Sequence, residues 1–170
     1  NNLDKYLMKK ITKVVIPVNL YGQKADIKKL RKIVGRSRYI IEDSAQAHFA
    51  FSCFDCRKSS SIKCCKKEMN HKYADLSCYS FYPSKNLGAY GDGGIVTTNN
   101  KNLFNKIYYL RNLGTIKKNV HQYEGLNSRL DTLQATILLE KIKFTHSHND
   151  YRRMISSFYD KQLSNIKEVK

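Results

Sequence analysis

The chain has 170 residues, of which 41% are hydrophobic and 26% charged, a mixture that suits one globular domain or part of a larger one. Lys and Arg number 31 against 14 Asp and Glu, giving a formal net charge of +17. No apolar run approaches the ~18–20 residues that a membrane span needs, and no secretory signal begins the chain. We therefore expect neither a membrane nor a secreted protein, and predict a cytoplasmic one.

The first elements in chain order predict a βαβ unit. Residues 4–10 are typical of the end of a helix, and residues 14–20 form a short apolar run that predicts a strand buried on both faces. Apolar residues at helical spacing over 25–34 predict a helix, and residues 39–41 a second buried strand. A strand, a helix and a strand at this spacing indicate a parallel sheet with helices on it.

The remaining elements alternate between loops, strands and helices. Residues 51–72 lack periodicity and predict a surface loop, and residues 86–94 are rich in glycine. The other segments predict strands over 76–82 and 95–98, and helices over 103–112, 130–138 and 151–163.

Four of the five cysteines lie in the predicted loop: Cys53, Cys56, Cys64 and Cys65. The C-x-x-C pair could hold zinc, although the adjacent Cys64 and Cys65 suit a single ion poorly. Free thiols are the default interpretation and a zinc site the alternative. The positive charge would attract polyanions, but the lysines are spread along the chain without the pattern of a nucleic-acid module, so a nucleic-acid partner is not expected.

Three polar clusters follow predicted strands or precede a helix, at residues 42–47, 80–94 and 125–131. Groups just past the carboxyl ends of parallel strands converge on one crevice, so Asp43 and Lys85 are predicted to share a site. A partly buried lysine can act as a nucleophile, and a carboxylate can keep a pyridine nitrogen protonated. Taken singly, Asp43 could be a helix cap and Lys85 a surface cation. Taken together, the clusters favour a cofactor with a cationic ring and an electrophilic carbon.

These motifs, EDSAQA at 42–47, SFYPSKNLGAYGDGG at 80–94 and NSRLD at 127–131, resemble those of the DegT/DnrJ/EryC1/StrS sugar aminotransferases. Those proteins are pyridoxal-phosphate enzymes with the aspartate aminotransferase fold, known as fold-type I. The resemblance implies an α/β fold, namely part of the large domain with a mostly parallel sheet and flanking helices.

The resemblance also implies a role for each motif residue. Lys85 would form the internal aldimine with pyridoxal 5'-phosphate and move the proton between substrate and cofactor. Asp43 would bind the pyridine nitrogen, and Gln46 would lie near the ring hydroxyl. Ser80 would bind the cofactor phosphate, and Asn127 would reach the phosphate of the partner subunit in a homodimer.

The sequence of residues 82–94 is similar to the corresponding segment of family members that act on 3-keto nucleotide sugars. The implied reaction transfers an amino group, with glutamate as donor, to a nucleotide-linked 3-keto-6-deoxyhexose during amino-sugar and polysaccharide biosynthesis.

Family members are longer than this chain, which implies a fragment that is inactive alone. Residues 1–145 would be a partial cofactor-binding domain lacking its amino-terminal part and carrying an insertion at about 51–72. Residues 146–170 would begin the small carboxyl-terminal domain. Two alternatives stay open: a non-catalytic fragment or binding module of the same fold, and a zinc- or nucleic-acid-binding protein.

Overall fold

A computed structural model of the protein describes residues 12–50 and 73–168. Within these ranges four strands form one sheet in the order β1 (Val14–Val15), β2 (Tyr39–Asp43), β3 (Leu76–Ser80) and β4 (Gly94–Thr97). The pairs β1–β2 and β2–β3 are parallel, whereas β4 runs antiparallel to β3. The predicted α/β class with a mostly parallel sheet is confirmed.

Helix α1 (Ile27–Val34) connects β1 to β2, as its apolar spacing predicts. Asp26 caps its first turn by accepting the Lys29 backbone N–H at 2.8 Å. Ile27 and Val34 are buried against Ile40 of β2, and these three side chains form one core cluster. The burial of this apolar face holds the helix on the sheet and completes the predicted βαβ unit.

Strand β1 is much shorter and more exposed than the sequence predicts. After Val15, pairing continues only as a single bridge between Val18 and Asp43. Pro17 has no N–H to give to a ladder, which breaks the regular pairing at that point. The side chains of Val14 and Val18 are 40% and 53% exposed, so the prediction of a strand buried on both faces over 14–20 is wrong.

After β4, the described chain forms helices and one hairpin. These elements are α2 (Lys101–Leu110), β5 (Thr115–Lys117), β6 (Val120–His121), α3 (Thr132–Lys141) and α4 (Thr145–Leu163). The hairpin was not predicted, and α4 begins six residues before the predicted helix over 151–163. The predicted helix end at 4–10 and loop at 51–72 lie outside the described residues. None of the described helices is long and apolar enough to cross a membrane.

A second core cluster packs α3 against the segment that follows β3. Phe81, Leu87 and Ala89 are buried together with Leu138 of α3. The connection from β3 to β4, which contains Lys85, is therefore part of the packed structure.

Candidate active site

The site is built on the carboxyl ends of β2 and β3. Asp43 is the last residue of β2 and pairs with Cys78 of β3. The N–H of Ser44 donates to the Cys78 carbonyl at 2.8 Å, which continues this pairing beyond the strand. Ser80 ends β3, so the polar clusters after both strands meet at one edge of the sheet, as predicted.

Asp43 is held by its backbone and keeps part of its carboxylate available. Its N–H donates to Pro17 and its carbonyl accepts from Asn19, both at 2.9 Å. Oδ1 accepts the Ala45 N–H at 3.0 Å, while no donor from the described residues reaches Oδ2. Burial, with the Asp43 carboxylate adding to it, raises the pKa of the neighbouring Cys78 thiol.

Lys85 lies in a tightly turned loop. Its N–H donates to the Tyr82 carbonyl at 2.9 Å, and the loop is closed by a 2.8 Å hydrogen bond from the Ala89 N–H to the Phe81 carbonyl. At Gly88, a Cβ atom would lie 2.4 Å from the Pro83 carbonyl oxygen, so only glycine fits there. The loop geometry thus fixes the backbone from which Lys85 extends.

The Lys85 side chain is half-buried and opens into a cavity of about 830 Å³. Gln46 and His48 line the same cavity. Across residues 12–50 and 73–168, the Lys85 ammonium makes no hydrogen bond or ion pair, so its amine is available to a ligand.

Gln46 is oriented by the loop before α1. Its Oε1 accepts the backbone N–H of Tyr21 at 2.8 Å. This bond leaves Nε2 as the side-chain donor, and no acceptor in the described part of the chain takes it. Gln46 therefore offers two N–H donors to a ligand oxygen.

His48, which the sequence did not single out, is buried at 4% exposure, and neither of its ring nitrogens has a hydrogen-bond partner among the described residues. The rings of Tyr79 and Phe81 lie 5.8 and 6.0 Å away between centroids. Burial lowers the His48 pKa, and the Lys85 charge lowers it further. The Ser80 backbone is close enough to oppose this shift, although not within hydrogen-bond geometry. The Lys85 amine thus has a neutral imidazole as a neighbour.

Asp43, Ser80 and Asn127 do not line the Lys85 cavity. Ser80 Oγ accepts the Tyr82 N–H at 3.2 Å. Asn127 is exposed, its Oδ1 accepts from Arg129 at 3.1 Å, and its backbone bridges to Asn112. Their predicted contacts with a cofactor phosphate, from within the subunit for Ser80 and across a dimer for Asn127, stay predictions.

The sequence analysis also did not identify a buried ion pair beside Asp43. Glu42 is 0% exposed and lies 2.9 Å from the Lys24 ammonium. It accepts hydrogen bonds of 2.8 Å from Asn19 and Ser77. Burial alone would raise the pKa of Glu42, but the charge of Lys24 and these hydrogen bonds outweigh it and lower the pKa. The strand pattern contained a signal, because Glu42 shares a face with buried Ile40.

The structure brings Lys85 and Gln46 into one cavity and places Asp43 and Ser80 on the adjoining strand ends. That Lys85 and Asp43 flank one ring stays a prediction. The cysteines proposed for zinc, Cys53, Cys56, Cys64 and Cys65, lie outside the described residues. Within those residues no cluster of three potential metal ligands exists.

The sequence profile of the DegT/DnrJ/EryC1/StrS aminotransferase family matches residues 5–170. The chain belongs to this family. The predicted resemblance is confirmed, and the family is one of pyridoxal-phosphate-dependent transferases.

Two curated relatives and one solved structure describe the similarity. The chain is 35% identical to dTDP-3-amino-3,4,6-trideoxy-alpha-D-glucose transaminase of Streptomyces venezuelae, covering 96% of this chain and 41% of that one. It is 36% identical to UDP-2-acetamido-2-deoxy-3-oxo-D-glucuronate aminotransferase of Pseudomonas aeruginosa, covering 97% and 44%. The crystal structure of NtdA from Bacillus subtilis with bound cofactor PMP matches with a TM-score of 0.79 at 30% identity, covering 94% and 34%. The chain thus spans about two-fifths of the length of its curated relatives.

The available side chains fit the chemistry of pyridoxal phosphate. A primary amine suits an aldehyde, a carboxylate suits a ring N–H, and amide donors suit a ring oxygen. Lys85, Asp43 and Gln46 offer these three groups, each with a polar atom that no described residue occupies. The donor set therefore matches the family's cofactor.

Proposed function

We propose that this chain is part of a pyridoxal-phosphate-dependent aminotransferase of nucleotide-linked keto sugars. One observation carries the proposal: the Lys85 amine, which no residue of 12–50 or 73–168 pairs with, shares a cavity with Gln46, beside the strand that ends at Asp43. Membership of an aminotransferase family supports it.

Each residue would act on a defined part of the cofactor. When bound, pyridoxal phosphate supplies an aldehyde and an electron-withdrawing ring. Lys85 Nζ would hold the aldehyde carbon and later take up and return a proton, the role that the resemblance of its motif implies. Asp43 Oδ2 would hold the proton on the ring nitrogen, and Gln46 Nε2 would donate to the ring oxygen. Ser80 Oγ would donate to the phosphate.

We propose a 3-keto-6-deoxyhexose nucleotide as the acceptor and glutamate as the amino donor. The two relatives are named for sugars with an amino or oxo group at the 3-position, which supports the 3-position here. The sequence of residues 82–94, which resembles that of members acting on 3-keto nucleotide sugars, favours the same position.

The same proposal covers the domain boundary, the location and the assembly of the full-length enzyme. Residues 1–145 would form part of the cofactor-binding domain and 146–170 the start of a second domain, a boundary that lies one residue after the start of α4 at Thr145. The full-length enzyme would be a cytoplasmic homodimer to which Asn127 contributes across the interface. Because the chain spans two-fifths of its relatives' length, we propose that turnover requires further parts of the protein.

The test is to titrate the chain with pyridoxal phosphate, record the visible spectrum, reduce with borohydride and map the labelled peptide. We expect a new visible band and a label on Lys85. The Lys85→Ala variant should lose both, whereas Lys161→Ala, on the exposed end of α4, should retain them. An unchanged band in Lys85→Ala would refute the assignment.

A nucleotide-sugar assay then separates the enzyme from a binding module. Transamination of a 3-keto nucleotide sugar by a full-length protein that contains this chain supports the proposal. Cofactor binding to that full-length protein without turnover of any keto sugar would instead favour the non-catalytic alternative.

A further inference from the structure

The segment before α1 is anchored by one buried asparagine. Asn19 is 0% exposed, and its Nδ2 donates to Glu42 Oε1 and Ser44 Oγ, both at 2.8 Å. Its Oδ1 accepts the Ala25 N–H at 2.9 Å. The Asn19 side chain thus uses both its donors and its acceptor within the fold.

These hydrogen bonds hold the residues that precede and follow Asp43 in the chain. Glu42 and Ser44 are the chain neighbours of Asp43, and both accept from the Asn19 amide. The backbone N–H of Asn19 donates to the Asp43 carbonyl itself at 2.9 Å. Asn19 therefore fixes three consecutive residues at the point where β2 ends.

The same asparagine supports the turn that orients Gln46. Tyr21 has a φ of 52°, which is costly for a residue with a side chain, so its turn must be held by its surroundings. The Gly22 N–H donates back to the Asn19 carbonyl at 3.3 Å, and Asn19 Oδ1 holds Ala25 on the far side of the turn. The Tyr21 N–H can then reach Gln46 Oε1 at 2.8 Å.

We propose that Asn19 is a positioning residue that sets both Asp43 and Gln46. It does not line the Lys85 cavity, so it acts only through these two side chains. The inference rests on the proposed function for the roles of Asp43 and Gln46, whereas the coupling itself is a property of the fold.

Two backbone amides report the positions of the two side chains. The Ala45 N–H is bonded to Asp43 Oδ1 and the Tyr21 N–H to Gln46 Oε1, so hydrogen exchange at these amides follows the side chains directly. In Asn19→Ala we expect exchange at both to rise at least ~10-fold while the Leu30 amide in α1 stays protected. We also expect the affinity for pyridoxal phosphate to fall ~10-fold or more.

Ser77→Ala is the matched control. It removes a 2.8 Å hydrogen bond to the other oxygen of the same buried carboxylate, from a residue that is 1% exposed. A general loss of packing around Glu42 would make the two variants alike. We expect Ser77→Ala to lower stability while leaving the Tyr21 and Ala45 exchange rates and the cofactor affinity near their original values.

If Asn19→Ala does not fold, Ser44→Ala decides, because it removes one of the two acceptors of the Asn19 amide. Faster exchange at Ala45 and Tyr21 in the folded variant supports the proposal. Unchanged exchange, or exchange equal to that of Ser77→Ala, overturns it. A chain that binds no pyridoxal phosphate before mutation refutes the proposed function alone, since the exchange comparison needs no cofactor.

Discussion

Asn86 and Asn149 lie 63 positions apart in the chain and are joined by a side-chain hydrogen bond of 3.0 Å. Asn149 also donates to the His48 carbonyl at 3.1 Å, so one residue of α4 holds two segments that line the Lys85 cavity. The residue next to Lys85 in sequence is thereby connected to the helix that follows the hairpin and α3.

The first prediction concerns this connection. Asn149 is buried, so Asn149→Leu should lower the free energy of unfolding by about 1–3 kcal/mol, because the His48 carbonyl and the Asn86 amide lose their partner. Urea unfolding measures the change. Ser147→Ala, an exposed change on the same helix, should have little effect. Equal stability of Asn149→Leu and the original chain would contradict the prediction.

The second prediction concerns the Lys85 loop. In Gly88→Ala the new methyl group would overlap the Pro83 carbonyl, and we expect a loss of about 1–3 kcal/mol in stability together with weaker cofactor binding. Thermal unfolding and cofactor titration provide the measurement. Gly91→Ala is the control, because the nearest atom there is the terminal amide nitrogen of the Gln134 side chain at 3.3 Å and not backbone. A tolerated alanine at position 88 would show that the turn is not as tight as described.

The third prediction concerns the buried ion pair. Lys24→Met leaves Glu42 charged without its cation. We expect the free energy of unfolding to fall by about 3–5 kcal/mol at neutral pH. Lys29→Met, on the exposed face of α1, should cost little.

The effect of Lys24→Met also depends on pH. In the original chain the Glu42 pKa is lower when folded, so its contribution is present above the usual value of 4.5 and is lost as the pH falls through the folded pKa. In Lys24→Met the largest cause that lowers the Glu42 pKa is lost, so the folded pKa lies above that of the original chain. That variant should gain stability relative to the original chain on acidification, which urea titrations at several pH values would reveal.

The fourth prediction concerns His48. Its pKa is lower in the folded protein than the usual 6.5, so the unfolded chain takes up a proton first as the pH falls below that value. This uptake destabilises the fold by up to ~1.4 kcal/mol per pH unit until the folded pKa is reached. His48→Leu should remove this component of acid sensitivity, whereas the exposed His148→Leu should retain it. Parallel acid sensitivity in the original chain and His48→Leu would show that the imidazole is not held neutral.

The sequence predicted the elements that local physics specifies. Apolar spacing identified α1, a buried apolar run identified β2, and the segment before Pro83 identified β3, each within a few residues of its observed ends. The position of Asp43 and Lys85 after parallel strands followed from topology alone, because carboxyl ends of such strands meet at one edge.

Features that depend on contacts between distant parts of the chain could not be predicted from local sequence patterns. The antiparallel direction of β4 could not be predicted because a β-branched run has the same appearance in either direction. The exposure of β1 depends on what covers the sheet edge, and the roles of Asn19 and His48 depend on partners far away in the chain. The burial of Glu42 could almost have been predicted, because Glu42 lies on the same face of β2 as Ile40, whereas the adjacent Asp43 does not.

The two ends of β3 are held by different contacts. Between β3 and β4 the ends are fixed one strand apart by the pairing of Ser80 with Gly94 and by the Phe81 N–H to Gly93 carbonyl bond of 2.7 Å, so one added residue would displace Lys85. The connection from β2 to β3 instead enters at Asp75, whose carboxylate binds Arg31 of α1 at 2.6 Å. Arg31 and the Ile40 N–H, which donates to the same carboxylate at 2.7 Å, therefore hold the start of β3 against both α1 and β2, independently of the pairing that fixes its other end.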